Sequence, residues 1–110
     1  MKNVKAQIYK ILKNEFKNVM QQNGNIFNEL PCVTFYLSDN SLGLTLDNEI
    51  AEQYITVIID IWTKTSKEGI EMLETLESIM RKEHYKLDFS ADIPQDNQIY
   101  HTTTRFTTTI

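Results

Sequence analysis

Residues Tyr54 to Met80, YITVIIDIWTKTSKEGIEMLETLESIM, constrain the chain more than any other stretch. Ile55, Val57, Ile59 and Ile61 alternate, so one face of a strand here is wholly β-branched and belongs in a core. Tyr54, Thr56, Ile58, Asp60 and Trp62 take the other face, a mixture suited to a sheet surface that meets solvent or a partner. Asp60, beside Trp62, is expected to face solvent or a partner rather than to be buried. Thr65 and Glu68 then stand in the spacing of a capping box, and Ile70, Leu73, Leu76, Ile79 and Met80 recur as a helical apolar stripe. A strand joined so tightly to an amphipathic helix lays that helix on its apolar face. The remaining segments must build around this unit.

Upstream, Lys2 to about Met20 places Val4, Ile8, Ile11, Leu12, Phe16, Val19 and Met20 at spacings of three and four, the pattern of one helix with a lysine-rich outer face. Asn-rich Gln21 to Asn28 ends it. Leu30 to Leu37 is expected as a proline-led strand, with Val33, Phe35 and Leu37 opposite Cys32, Thr34 and Tyr36. Ser38 to Gln53 is a long loop in which Leu42, Leu44 and Leu46 alternate with small or polar residues. It is either a short extra strand, or loop, folded over the core, or an arm laid on a neighbouring subunit. After the second helix, Tyr85, Leu87 and Phe89 alternate with Lys86, Asp88 and Ser90, then a polar stretch carries Pro94. Ile99 to Ile110 is a Thr-rich final strand, with Tyr100, Thr102, Thr104 and Phe106 on one face and His101, Thr103 and Arg105 on the other. The order α-β-loop-β-α-β-β implies one α+β domain over residues 1–110, a two-layer sandwich with a sheet of about four mainly antiparallel strands and both helices on one face. The face away from the helices is too aromatic for a plain solvent face, and the last strand ends without Pro or Lys to blunt its edge; both suggest self-association, with strands pairing across subunits or a neighbour covering the open face.

The chain has 110 residues and a net charge of −4, with 24% charged and 41% apolar residues, as expected of one globular domain. The acidic balance argues against a nucleic-acid-binding module. No apolar run reaches membrane-spanning length and no signal core opens the chain, so a cytoplasmic start is expected. One cysteine, Cys32, allows neither an intramolecular disulfide nor a cysteine zinc site, and a buried inert thiol is expected. The acids of the long loop match no calcium-loop spacing, and the glutamates of the second helix lack the histidines of a di-metal array. An acid–base site from Asp60, His101 and Arg105 is conceivable on one sheet face, yet an exposed or interface histidine is the commoner arrangement. No catalytic, cofactor or metal site is expected.

Pro31-Cys32-Val33-Thr34-Phe35, the strand ending Ile59-Asp60-Ile61-Trp62-Thr63 before a capped helix, and the terminal Ile99-Tyr100-His101-Thr102-Thr103-Thr104-Arg105-Phe106 together resemble the small tail-terminator or tail-completion proteins of long-tailed bacteriophages and prophages. The resemblance spans almost the full length. It implies a structural, non-enzymatic protein without cofactors, assembling in the host cytoplasm and ending in the virion tail. Its subunits form a ring, typically a hexamer, that caps the completed tail tube and presents the head connector with a docking surface, while genome DNA passes through an acidic lumen. Leu42, Leu44 and Leu46 would lie on the arm. Asp60, Trp62, Tyr100, His101 and Arg105 would face a partner. The alternatives are another neck or head–tail connector component, or a dimeric small-ligand-binding domain using Tyr54, Trp62 and Tyr100 as its pocket.

Overall fold

The computed structural model describes residues 4–21, 30–44, 50–94 and 98–109. It is an α+β fold of two helices and a five-stranded mixed sheet. In chain order the elements are α1 (Val4–Glu15), β1 (Val19–Gln21), β2 (Cys32–Leu44), β3 (Ile50–Thr63), α2 (Ser66–Lys82), β4 (Lys86–Ile93) and β5 (Tyr100–Thr109). The strands lie in the order β1-β2-β3-β5-β4, with β1 parallel to β2 and every other pair antiparallel. The expectation of about four strands thus misses β1. Val19 and Met20 continue the helical spacing, but Val33 N donates to Asn18 O at 2.9 Å and turns the chain into the sheet instead.

The expected core face of β3 is fully formed: Ile55, Val57, Ile59 and Ile61 have no exposed surface. Val4, Ile8 and Leu12 of α1 and Leu76 and Met80 of α2 join it in one cluster with Val33, Phe35 and Phe106, so both helices cover this face. Burial of such side chains contributes about 1.5–3 kcal/mol each before chain entropy is counted. Thr65 caps α2, its hydroxyl accepting from Glu68 N at 3.2 Å, as the capping spacing implies. Ile70, expected in the buried stripe, is instead 56% exposed, because α2 meets the sheet through Gly69, Leu76 and Met80. A Cβ at Gly69 would stand 3.2 Å from Thr63 Oγ1, so glycine is what lets the first turns of α2 lie this close to β3.

Three further expectations change. Ser38 to Gln53 is not mainly a loop: β2 continues to Leu44 and β3 begins at Ile50, paired as Leu42 with Gln53 and Leu44 with Ile50. The Thr-rich β5 is no edge strand, since β4 flanks it on one side and β3 on the other. A bulge between Leu87 and Phe89 breaks the expected alternation of β4. Leu87 pairs with Phe106 on the core side, whereas Phe89 pairs with Arg105 and is 49% exposed on the open face.

The C-terminus of α2 closes on His84 in the left-handed region, φ 68°. Tyr85 N donates to Met80 O at 2.9 Å and His84 N to Arg81 O at 3.0 Å, the paired bonds of a Schellman cap. A side chain in this conformation carries a cost of about 1–2 kcal/mol that glycine escapes, offset by about 0.5–1 kcal/mol of glycine's extra chain entropy. His84→Gly is therefore expected to raise stability by about 0.5 kcal/mol, read as a higher urea midpoint at unchanged slope. A lower midpoint would mean that the His84 side chain contributes more than its backbone strain costs.

Candidate functional site

The sheet face away from the helices carries a polar and aromatic cluster that the register assembles from three strands. Trp62 on β3 lies opposite Cys32 on β2 and His101 on β5, and Asp60 lies opposite Thr34 and Thr103. The rings of Trp62 and His101 stack at 3.7 Å with an interplanar angle of 12°. Trp62 Nε1 donates to Thr34 Oγ1 at 3.1 Å. His101 Nε2 donates to Asp60 Oδ1 at 2.8 Å; a carboxylate only accepts, so in this pairing the ring carries its proton on Nε2.

The pairing explains two departures from expectation. Asp60 is only 5% exposed, not solvent-facing, because the imidazole satisfies an oxygen that would otherwise be costly to bury. His101 is no exposed histidine either: its side chain is 10% exposed, held between the indole and the carboxylate. Arg105 shares the face but not the cluster. Its Nε donates to Asp88 Oδ2 at 2.9 Å and its guanidinium sits 5.7 Å from the centre of the Phe89 ring. Both charges are about half exposed, so this pair contributes little to stability.

Tyr100 separates from Trp62. It pairs with Thr63 on the helix side of the sheet, so Trp62 and Tyr100, expected with Tyr54 to line one pocket, do not share a face. Tyr100, 51% exposed, instead borders an open cleft of about 720 Å³ where α2 begins, together with Ile70, Leu73, Ile93 and Ile99. Leu42 and Leu44 stand in the paired extension of β2, and Leu46 lies outside the described residues. Thr34, Asp88 and Phe89 are site residues that sequence reasoning did not single out. The mixed face of Cys32, Thr34 and Tyr36 was the available signal, but only the β2–β3 register makes Thr34 a partner of Trp62.

Cys32 is buried on this face, and burial pushes its thiol up from the ordinary 9.0. Tyr85 is pushed up from 10.0, first by burial and then by the Glu83 carboxylate. Each group keeps its proton longer folded than unfolded, so its stabilising contribution is complete below the unfolded value and is lost as pH rises through the folded one. Stability from these two groups is expected to fall only above pH 9.0, with Cys32 leading and Tyr85 following above 10.0. Urea melts from pH 7 upward check the onset. In the same samples Cys32 is expected to resist thiol reagents until the chain unfolds; rapid labelling of the folded protein would contradict its placement.

Among the described residues no group of three His, Cys, Asp or Glu side chains is placed to hold a metal ion, and no helix is long and apolar enough to cross a membrane. Compared with known protein families the chain matches none, and no curated protein matches it.

Proposed function

We propose that this chain is the subunit of a ring that closes a phage-type tail tube and joins it to the head connector. The observation that carries the reading is the β2–β3 ribbon. Among the described residues β5 accompanies β3 only from Tyr54 onward, and β1 accompanies β2 only at Val33 to Phe35. Leu42–Leu44 and Ile50–Gln53 therefore pair with each other alone among the described residues, and the molecule reaches 53 Å along its long axis. A lone two-stranded ribbon is marginally stable in water, which suits an arm that finds its packing on another subunit or on the tube. The open sheet face supports the same reading, with Tyr36 and Phe89 40% and 49% exposed around the buried Asp60–His101 pair. Exposed aromatic side chains are what protein interfaces favour, and the charge at the centre of this face is already paired.

Native mass and negative-stain images of the purified protein test the proposal, alone and with tail tubes. A ring with a central hole, or tubes capped at one end, is expected. A species that stays monomeric and leaves tube ends bare would overturn it. Deleting Asn40 to Asp47 is expected to abolish ring formation or tube binding; an intact, tube-binding ring would remove the arm from the proposal.

A second reading has the cleft behind it. At about 720 Å³ it has the size of a small-molecule site, and a dimeric ligand-binding domain would use it. That reading requires a dimer by native mass and a compound that raises the melting temperature in proportion to its concentration. The Asp60–His101 pair favours an enzyme less, since the stacked indole leaves the imidazole little surface for a substrate.

A further inference from the structure

We infer that the outer flank of α1 in one copy docks against the outer flank of α2 in the next, seating Tyr9 in the cleft and setting Lys5 and Lys13 beside Glu74 and Glu77. The inference rests on the ring reading above and names two surfaces that would close the ring.

The fold sets these flanks on opposite sides of the domain. α1 lies against β1 at one edge of the sheet, and α2 lies against β3, β5 and β4 toward the other. In α2 the residues that follow core positions, Ile70 after Gly69 and Glu77 after Leu76, turn away from α1, and Ile70 borders the cleft with β4. Glu68 and Met72, on the other flank of α2, share a smaller cleft with Glu15 and Phe16. α1 therefore ends beside the start of α2 and runs antiparallel to it, so a half-turn about the sheet normal relates the two helices. In α1 the residues that follow core positions accordingly turn away from α2: Lys5 after Val4, Tyr9 after Ile8 and Lys13 after Leu12. All three are exposed, Tyr9 by 40%, whereas Ile11 on the inner flank is partly buried. Unlike surfaces on opposite sides of one domain do not meet within a chain. They meet between copies, and such a heterologous contact builds a ring when its rotation closes.

The two flanks are complementary in shape and charge. The donor is an aromatic ring between two lysines. The acceptor is the cleft, where Ile70 and Tyr100 expose 56% and 51% of their surface with Leu73 and Ile93 beside them. Grouped apolar exposure of this kind marks an interaction site more often than scattered exposure does, and a tyrosine is a favoured anchor for one. Among the described residues no Lys or Arg lines the cleft, and its one acidic residue is Asp92. Glu74 stands exposed above it without an ion pair, and Glu77 meets Arg81 only at 3.8 Å in an exposed pair of little strength. Lys5 has no ion pair among the described residues, and Lys13 Nζ donates only to the Lys17 carbonyl, at 2.6 Å, which leaves its charge unneutralised. The opposite charges also find partners. Lys64 and Lys67 stand exposed at the start of α2, the end to which an antiparallel α1 from the next copy brings its Glu15.

The test mixes a Lys13→Cys protein with an Ile70→Cys protein and adds a short bis-maleimide at neutral pH and low salt, the wild type showing that buried Cys32 stays silent. Native mass and tube capping are read on the same samples. A covalent heterodimer is expected in the mixture and in neither variant alone. Adding Glu74→Lys and Glu77→Lys to the Ile70→Cys partner is expected to abolish it, and adding Lys5→Glu to the Lys13→Cys partner to restore it. A heterodimer unchanged by these reversals overturns the inference, since random collision gives the same product. A charge-sensitive heterodimer supports it, whether native mass shows rings or, for a weak contact, monomers. Rings or capped tubes without the heterodimer overturn the inference and leave the ring reading standing. Monomers and bare tubes without it overturn both. Lys5→Cys, with Lys13→Glu as its reversal, replaces Lys13→Cys if circular dichroism shows the first variant unfolded.

Discussion

Replacing Phe106 with alanine is expected to lower the unfolding free energy by about 3–5 kcal/mol and the melting temperature by roughly 15 °C. Phe106 is fully buried in the middle of β5, opposite Val57 on β3 and Leu87 on β4. Among the described residues it is the one large apolar side chain that β5 adds to the core cluster. Truncation removes the transfer energy of a phenyl ring and leaves a cavity. Neighbours held by strand pairing on both sides collapse into it only in part. A typical domain has about 5–15 kcal/mol of total stability, so the variant stands near the edge of folding. Thermal and urea melts followed by the fluorescence of Trp62, the only tryptophan, measure the loss. A melting temperature within about 4 °C of wild type, roughly 1 kcal/mol, would mean that β5 does not sit centrally in the sheet.

Asp60→Ala is expected to cost about 1–3 kcal/mol, because it removes the acceptor of a nearly buried imidazole. His101→Ala costs as much or more, since it also takes away the ring stacked on Trp62 and leaves a buried carboxylate without that donor. The double variant is expected to lose less than the sum of the two, with a coupling of about 1–2 kcal/mol. Asp60→Asn, which keeps an acceptor oxygen at the same place, should fall between wild type and Asp60→Ala. Additivity of the two alanine variants would show that the 2.8 Å contact contributes nothing beyond its separate parts. Native mass on the folded single variants separates a purely structural pair from one that also shapes the covered face. Only the second changes assembly at concentrations where both proteins are folded.

The strand and helix between Tyr54 and Met80 were legible because their signals are local. Ile55 to Ile61 carry the period of two, Thr65 supplies the cap, and Leu76 and Met80 carry the helical period. Each works within a few residues of itself. The faces of β5 were legible for the same reason, with Thr102, Thr104 and Phe106 turned to the core. β1 was not. Val19 and Met20 suit a helix as well as a strand, and a parallel pairing with Val33 and Thr34 leaves no trace in either segment. The bulge before Phe89 escaped too, because the alternation of Leu87 and Phe89 looks unbroken until β5 is laid beside it.

Tertiary structure alone decided the candidate site. Asp60 and His101 are 41 residues apart, and Trp62 and Thr34 are 28 apart. Their meeting depends on which strands are neighbours and on a register set by the whole hydrophobic pattern, since a slip of one residue would send each to the opposite face. The same dependence turned an expected polar loop into a ribbon. Asp39, Asn40 and Gly43 favour turns locally, yet β2 and β3 are already paired from Cys32 to Leu37, and each added cross-strand contact then costs little further loop entropy. By itself the sequence determined an acidic α+β domain with one apolar face on β3. Which polar residues share the other face, and how far the ribbon reaches, came from contacts between segments that no local pattern encodes.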